Sequence, residues 1–277
     1  MREMLALLVL VLGAACPAPY YDDDIGVPGV ATDEGVLAGR FAHRQRYIYV
    51  TYVPILSQEV ESGGDQYLLV RRDWDAEQSR YREQWTFCID INHEAAGLVT
   101  ETLDAARDSV VFSETLAEVE HATGQFTVRD GLQMWALRNM PDPLNTPIPT
   151  PDNYKESPQK DWIYDADGDG HLGCTSRIHG ILEGEDYFVN RKVSGYRGVT
   201  TGPDRVLGLM NQRSSWSVLE STVALAVHTG DIPSDQAKQH PDPKRSWFEQ
   251  VRLPDDATCT EVRAAKDDGT LSTTRPF

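Results

Sequence analysis

Arg46-Tyr47-Ile48-Tyr49-Val50-Thr51-Tyr52-Val53 is the stretch that decides the architecture. From Tyr47 onward every residue is β-branched or aromatic. Such side chains are stiff in a helix and pack well on a pleated surface. The strand pattern extends over Arg40 to Ile55. Ser62-Gly63-Gly64-Asp65 reads as a turn, and Gln66 to Arg71 as the next strand. Ser79 to Asp90 reads as a third, with Trp85, Phe87 and Ile89 on one face. Strands at this spacing, joined by polar turns, predict an antiparallel meander.

Further along, Glu94 to Ala122 is ambiguous by periodicity. Thr102 to Arg107 can open a helix, and Val110-Val111-Phe112 can form a strand. Gln125 to Arg138 returns to strand character, with Met134, Trp135 and Leu137 as core. Pro141 to Pro158 holds six prolines and reads as an extended connector, because proline cannot donate to a sheet ladder. Ile178 to Leu182, Glu185 to Arg191 and Arg205 to Met210 read as strands, and Gly195-Tyr196-Arg197-Gly198 as a turn. Trp216 to His228 fits either a strand or a short helix. The expected fold is mainly β, an antiparallel barrel or sandwich. Two halves, 39–140 and 159–232, are joined by the connector 141–158, and strand–turn–strand recurs in both. Residues 233–277 are expected to form an irregular tail with a short helix around Thr258 to Ala265, pinned by Cys259.

The net charge is -17, which repels nucleic-acid phosphates and excludes that class of partner. Apolar residues make up 40%, enough for a core and too many for global disorder. The cysteines are Cys16, Cys88, Cys174 and Cys259. None lies in a CxxC spacing, which argues against a thiolate zinc site. If Cys16 is modified, one disulfide and one leftover thiol are expected in an oxidising compartment, with the pairing open.

The N-terminus carries Arg2, an unbroken apolar run from Met4 to Leu12, then Gly13-Ala14-Ala15-Cys16. The run is about half the length a permanent span needs. A short apolar core followed by small residues is the layout of a cleavable signal, here residues 1–15. Leu12-Gly13-Ala14-Ala15-Cys16 resembles the lipobox of bacterial lipoproteins. The resemblance implies that the Cys16 thiol takes a diacylglycerol and that the lipid bilayer is a partner. Pro17 in place of Asp after the cysteine resembles outer-membrane sorting. Gly13 stands where the family has Leu, so secretion to the periplasm or medium after cleavage near Ala15 stays open. Residues 16–38 begin Pro-rich and acidic, as a flexible tether does.

Asp165-Ala166-Asp167-Gly168-Asp169-Gly170-His171-Leu172 is the one chemical motif. Calcium takes about six to eight oxygens, and carboxylates at alternate positions of a tight loop converge on one ion. Asp165, Asp167 and Asp169 are the expected ligands, with the His171 carbonyl beside them and Gly170 supplying the turn. The motif resembles the calcium loops of EF-hands and thrombospondin type 3 repeats. Position twelve is Ser176, where EF-hands have a bidentate Glu. A missing ligand must come from elsewhere, with Asp161, Glu183 and Glu185 nearest in sequence. A metal-free acidic turn is the other reading.

No GxSxG elbow or Walker loop is present. His93-Glu94 lacks the second His of a zinc-protease helix. No catalytic residue is singled out. The leading expectation is an envelope lipoprotein that binds a protein or small ligand, or scaffolds. A secreted hydrolase with dispersed carboxylates and His, and a carrier with a barrel cavity, are the alternatives.

Overall fold

The computed structural model describes residues 25–53, 58–95, 97–180, 182–223 and 237–277. Cys16 and the signal-like run lie outside them. In chain order the strands are β1 (Gly39–Val53), β2 (Gln58–Asp75), β3 (Arg80–Asn92), β4 (Leu98–Thr102), β5 (Val111–Phe112), β6 (Thr115–Glu120) and β7 (Gln125–Trp135). After the connector come β8 (Cys174–Gly180), β9 (Gly184–Thr200), β10 (Arg205–Ser221), β11 (Ala237–Gln239) and β12 (Trp247–Leu253). The helices are α1 (Asp104–Asp108) and α2 (Cys259–Asp267).

The expectation of a mainly β, antiparallel fold holds. Eight strands pair in the ring order β1-β2-β3-β6-β7-β9-β10-β12, and β12 returns to β1. Ring order follows chain order, which is the connectivity of an up-and-down barrel. The run that opened the argument is the second half of β1, which pairs along its length with β2; on its other side β12 pairs with Arg40 to Arg46 and β11 with Tyr49 to Thr51. The closing contact is β7 with β9, from Gln125↔Val199 to Trp135↔Asn190. Strands from both sides of the connector therefore enclose one interior. β8 continues the sheet past the closure by pairing with the start of β9, and β4 pairs with β8.

Several local readings change. Ser62 to Asp65 lies inside β2, where Gly63 and Gly64 serve close approach. A Cβ on Gly64 would meet the Ile91 carbonyl at 2.6 Å and the Tyr47 hydroxyl at 2.9 Å. Gly195 to Gly198 lies inside β9, and Gly198 pairs with Gly208 where the two backbones crowd together. A register shift at β2–β3 parts Ile89 from Phe87: Phe87 faces the interior, while Ile89 packs outside with Tyr67 and Val262 of α2. Residues 233–277 hold β12, a full member of the ring, and α2, capped by Thr258 and Glu261. The expected disulfide joins Cys88 to Cys259, which pins α2 to β3, and Cys174 is a buried free thiol.

The interior holds polar and ionisable groups along its length. Near the end crossed by residues 25–38, Arg72 and Glu83 form an ion pair with both side chains 0% exposed. The Arg72 guanidinium also donates to Gln250 at 2.6 Å and sits over the rings of Phe41 and Phe126. In the middle, His43 lies among Trp85, Tyr196 and Phe248. Burial pulls its pKa down to about 3, against the Gln45 hydrogen bond that raises it and with the Arg72 charge that lowers it further. It is therefore a neutral packing group. Toward the other end, Gln45 donates to Gln66 at 2.6 Å and Gln212 donates to Ser194 at 2.9 Å. That end is covered by β5, α1 and the connector, whose Leu103, Phe112, Ile148 and Tyr154 pack on Phe87 and Trp135.

Arg72→Met strands a buried carboxylate, and the chain should lose roughly 3–5 kcal/mol. Pairing it with Glu83→Leu should restore most of that, because the desolvation cost of both charges disappears together. Urea midpoints of the two variants check this; equal losses would show that the pair itself, not the stranded charge, sets the cost.

Candidate metal centre

The acidic loop hangs from a pinched base. Trp162 and Ile163 are buried, and Ile163 bridges to Leu137 at the end of the first half. Ala166 donates to the Gly173 carbonyl at 3.0 Å, and Gly173 donates to Tyr164 at 3.1 Å. Between these anchors the chain must turn sharply. Gly168 and Gly170 have φ of +77° and +93°, with open space around a would-be Cβ, so the glycines answer a backbone demand rather than a steric one.

The turn brings Asp165, Asp167 and Asp169 together, each offering an oxygen within 4.8 Å of the others. Backbone amides hold them there. Asp165 accepts from Gly168 at 2.7 Å and from Gly170 at 2.9 Å. Asp167 accepts from the Thr175 amide at 2.7 Å, and Asp169 from the His171 amide at 2.8 Å. The Thr175 hydroxyl donates to Asp169 at 2.8 Å. The second Asp167 oxygen is buried with no hydrogen-bond partner. For Asp165, burial works to raise the pKa, and the amides of Gly170 and Gly168 outweigh it and hold the carboxyl below its ordinary value. The three carboxylates repel one another by about 1 kcal/mol per pair even at the dielectric of water. Such a hard-oxygen set can hold a metal ion.

The other sequence candidates go elsewhere. The His171 ring stacks on Tyr187 at 3.9 Å and lies 3.4 Å from Glu220, so only its backbone belongs to the loop. Asp161 accepts from the Ser157 hydroxyl, and Glu185 pairs with Arg177 and Tyr187. The Ser176 hydroxyl donates to the Glu101 carbonyl. None of these joins the acidic cluster.

Two features escaped the sequence reading. Thr175, the second residue of β8, clamps two of the three carboxylates. A hydroxyl residue soon after an acidic turn is the only local signal for it. Glu220 gathers Tyr154, Lys155 and His171, and those partners hold its carboxyl below its usual range. It comes from β10, far from the motif in sequence. Compared with known proteins, the chain matches no family model, no curated protein and no solved structure.

The pKa shift of Asp165 has a sign that can be read. Its lowered value means that the loop hydrogen bonds are fully present above pH 3.8 and are lost as pH falls through the lower folded value. The Gly168 and Gly170 amide NMR signals of the metal-free protein should stay put from pH 7 to about 4 and move only below that. Movement centred above pH 4 would contradict the arrangement.

Proposed function

We propose that this chain is an exported, lipid-anchored protein of the bacterial cell envelope. Its barrel is a binding module, and a calcium ion at Asp165, Asp167 and Asp169 steadies the connector against it. The observation that carries the reading is the acidic loop. Its three carboxylates converge, one buried Asp167 oxygen lacks a partner, and Thr175 ties the cluster to β8. Calcium fits an all-oxygen set, and with few protein ligands its affinity belongs to the extracellular class, about 10⁻⁴ to 10⁻³ M. That affinity makes sense only where calcium is millimolar, outside the cytosol.

The cysteines support the same location. Cys88–Cys259 is a cross-link suited to an oxidising compartment, and it uses neither Cys174 nor Cys16. Burial pushes the Cys174 thiol up, which makes it inert. Cys16 is left for the lipid that the lipobox-like signal implies. The tether from Pro17 then carries the barrel off the bilayer.

Calcium is tested by melting the full chain. Calcium at about ten to a hundred times its Kd should add between about 1 and 3 kcal/mol of stability. A chelator should reverse the shift, and Asp167→Asn should abolish it. An Asp167→Asn protein that still responds would remove the loop from the explanation.

The anchor is tested in cells with radiolabelled palmitate. The native chain should take the label and sediment with membranes; Cys16→Ala should remain unlabelled. Label on the Cys16→Ala chain, or none on the native one, sinks the lipoprotein reading.

A further inference from the structure

Inside the barrel, polar groups are not evenly supplied with partners. A void of ≈ 20 Å³ is lined by Gln45, Trp85, Phe112, Gln133, Ser194 and Tyr196, among others, and is large enough for one water. Two donors on its wall have no hydrogen-bond partner: the Gln133 side-chain amide and the Trp85 indole N–H. Gln133 is only 4% exposed. The indole N–H of Trp135, two residues further along β7, is likewise buried and unpartnered. Two acceptors at the same wall are already engaged. Gln45 accepts from the Tyr196 hydroxyl, and Ser194 accepts from Gln212. The wall therefore has an excess of N–H donors, and a buried donor left unmade costs free energy until an acceptor arrives.

A buried lysine lies on the same face. Lys192 of β9 is the cross-strand partner of Gln133, and directly opposed residues share a face of the sheet. Its ammonium is buried, 4.5 Å from the Tyr47 ring centroid and 5.7 Å from that of Trp135. Burial lowers its pKa against the opposing pull of Asp90. Asp90 is the nearby countercharge, and burial in turn pushes its carboxyl up. The interior of an eight-stranded barrel is filled by its own side chains or, where they give way, holds one small ligand. The wall that must yield is Phe112, which comes from β5, a two-residue strand outside the closed ring.

We propose that this end of the barrel binds a small organic carboxylate, its oxygens taking the Gln133 amide, the Trp85 indole and the Lys192 charge, and its apolar part displacing Phe112. The ligand's oxygens enter the water-sized void, and the lining Trp85 and Phe112 rings, with Phe87 and Trp135 packed behind Phe112, supply the apolar surface. A carboxylate suits this wall better than an alcohol because it brings acceptors without a further donor and meets the lysine with opposite charge. The inference rests on the reading of the barrel as the binding module. Its test is read without calcium or lipid, so its failure leaves the ion and the anchor standing.

The experiment is calorimetric titration of the full chain in detergent with acetate, benzoate and octanoate, each beside the corresponding alcohol, with tryptophan fluorescence as a second readout. At least one carboxylate should bind, at least about tenfold tighter than its alcohol. Lys192→Met, made together with Asp90→Asn so that no buried carboxylate is stranded, should fold and should weaken that binding at least about tenfold. Gln133→Leu should weaken it as well, and Asp90→Asn, which removes the competing carboxylate, should tighten it. The proposal is overturned if none of the three carboxylates binds, if the alcohols bind as well as the acids, or if the Lys192→Met/Asp90→Asn double variant and Gln133→Leu both fold and bind like the native chain.

Discussion

Everything in this fold depends on the ladder between β7 and β9. Without it the sheet would be an open ribbon with two long edges, each a row of unpaired amides and carbonyls inviting other chains. With it, the sheet closes and the inward side chains become a sealed interior. β9 meets this demand by its length. Its first residues pair with β8 and the rest with β7, while β10 runs along the other side. The register shift at Val128/Gly131 lets β7 follow that curve, and Asp130 there takes a positive φ of 51°.

A closed interior imposes a second constraint. Every polar group turned inward must find a partner inside, and this chain turns many inward. Arg72 and Glu83 satisfy one another only in part, for the Arg72 Nη1 and the second Glu83 oxygen have no hydrogen-bond partner. Such a pair adds little net stability beyond a hydrophobic packing of the same volume, because desolvation consumes most of the attraction. Stability has to come from apolar burial around it. Phe41, Tyr81 and Phe126 are fully buried beside the pair, and on the outer face α2 covers Ala42, Tyr67 and Cys88. The disulfide binds that outer cover to β3 across a sequence separation of 171. A loop of that length is where a cross-link restricts the unfolded chain most.

The sequence made some of this legible for physical reasons that can be named. The run from Tyr47 to Val53 reads as a strand because β-branched and aromatic residues leave no competing conformation. The acidic loop reads as a turn with converging carboxylates because its geometry is local, with all three aspartates within five residues. The glycines misled. Gly63, Gly64, Gly195 and Gly198 look like turn residues, but they lie where backbones, the Tyr47 ring or the Asn211 side chain crowd a strand, a cause that exists only once the partner strands are in place. Gln133 and Lys192 were invisible for the same reason. Each is an ordinary polar residue in a strand until the ring closes and sets one opposite the other. Phe248 and Glu249 sat in a stretch read as tail, and its prolines hid a short strand between them.

The loop and the interior meet on one strand. Cys174 pairs with Phe188, and the backbone at Gly173 packs against that residue so closely that a Cβ would lie 2.8 Å from its carbonyl. Asn190 and Lys192 follow along the same strand and face the interior. Ordering the loop thus fixes the start of the strand that carries the buried lysine. This connection transmits position rather than a switch. Coupling between two sites needs an element with two arrangements that both ligands bias. β9 is laddered to β10 along almost its whole length, with a single register shift near Val218, and has no second register available without turning its inward side chains outward. An ion held in the loop would therefore stabilise the connector and the adjoining strands, and would leave the interior chemistry to the residues that line it.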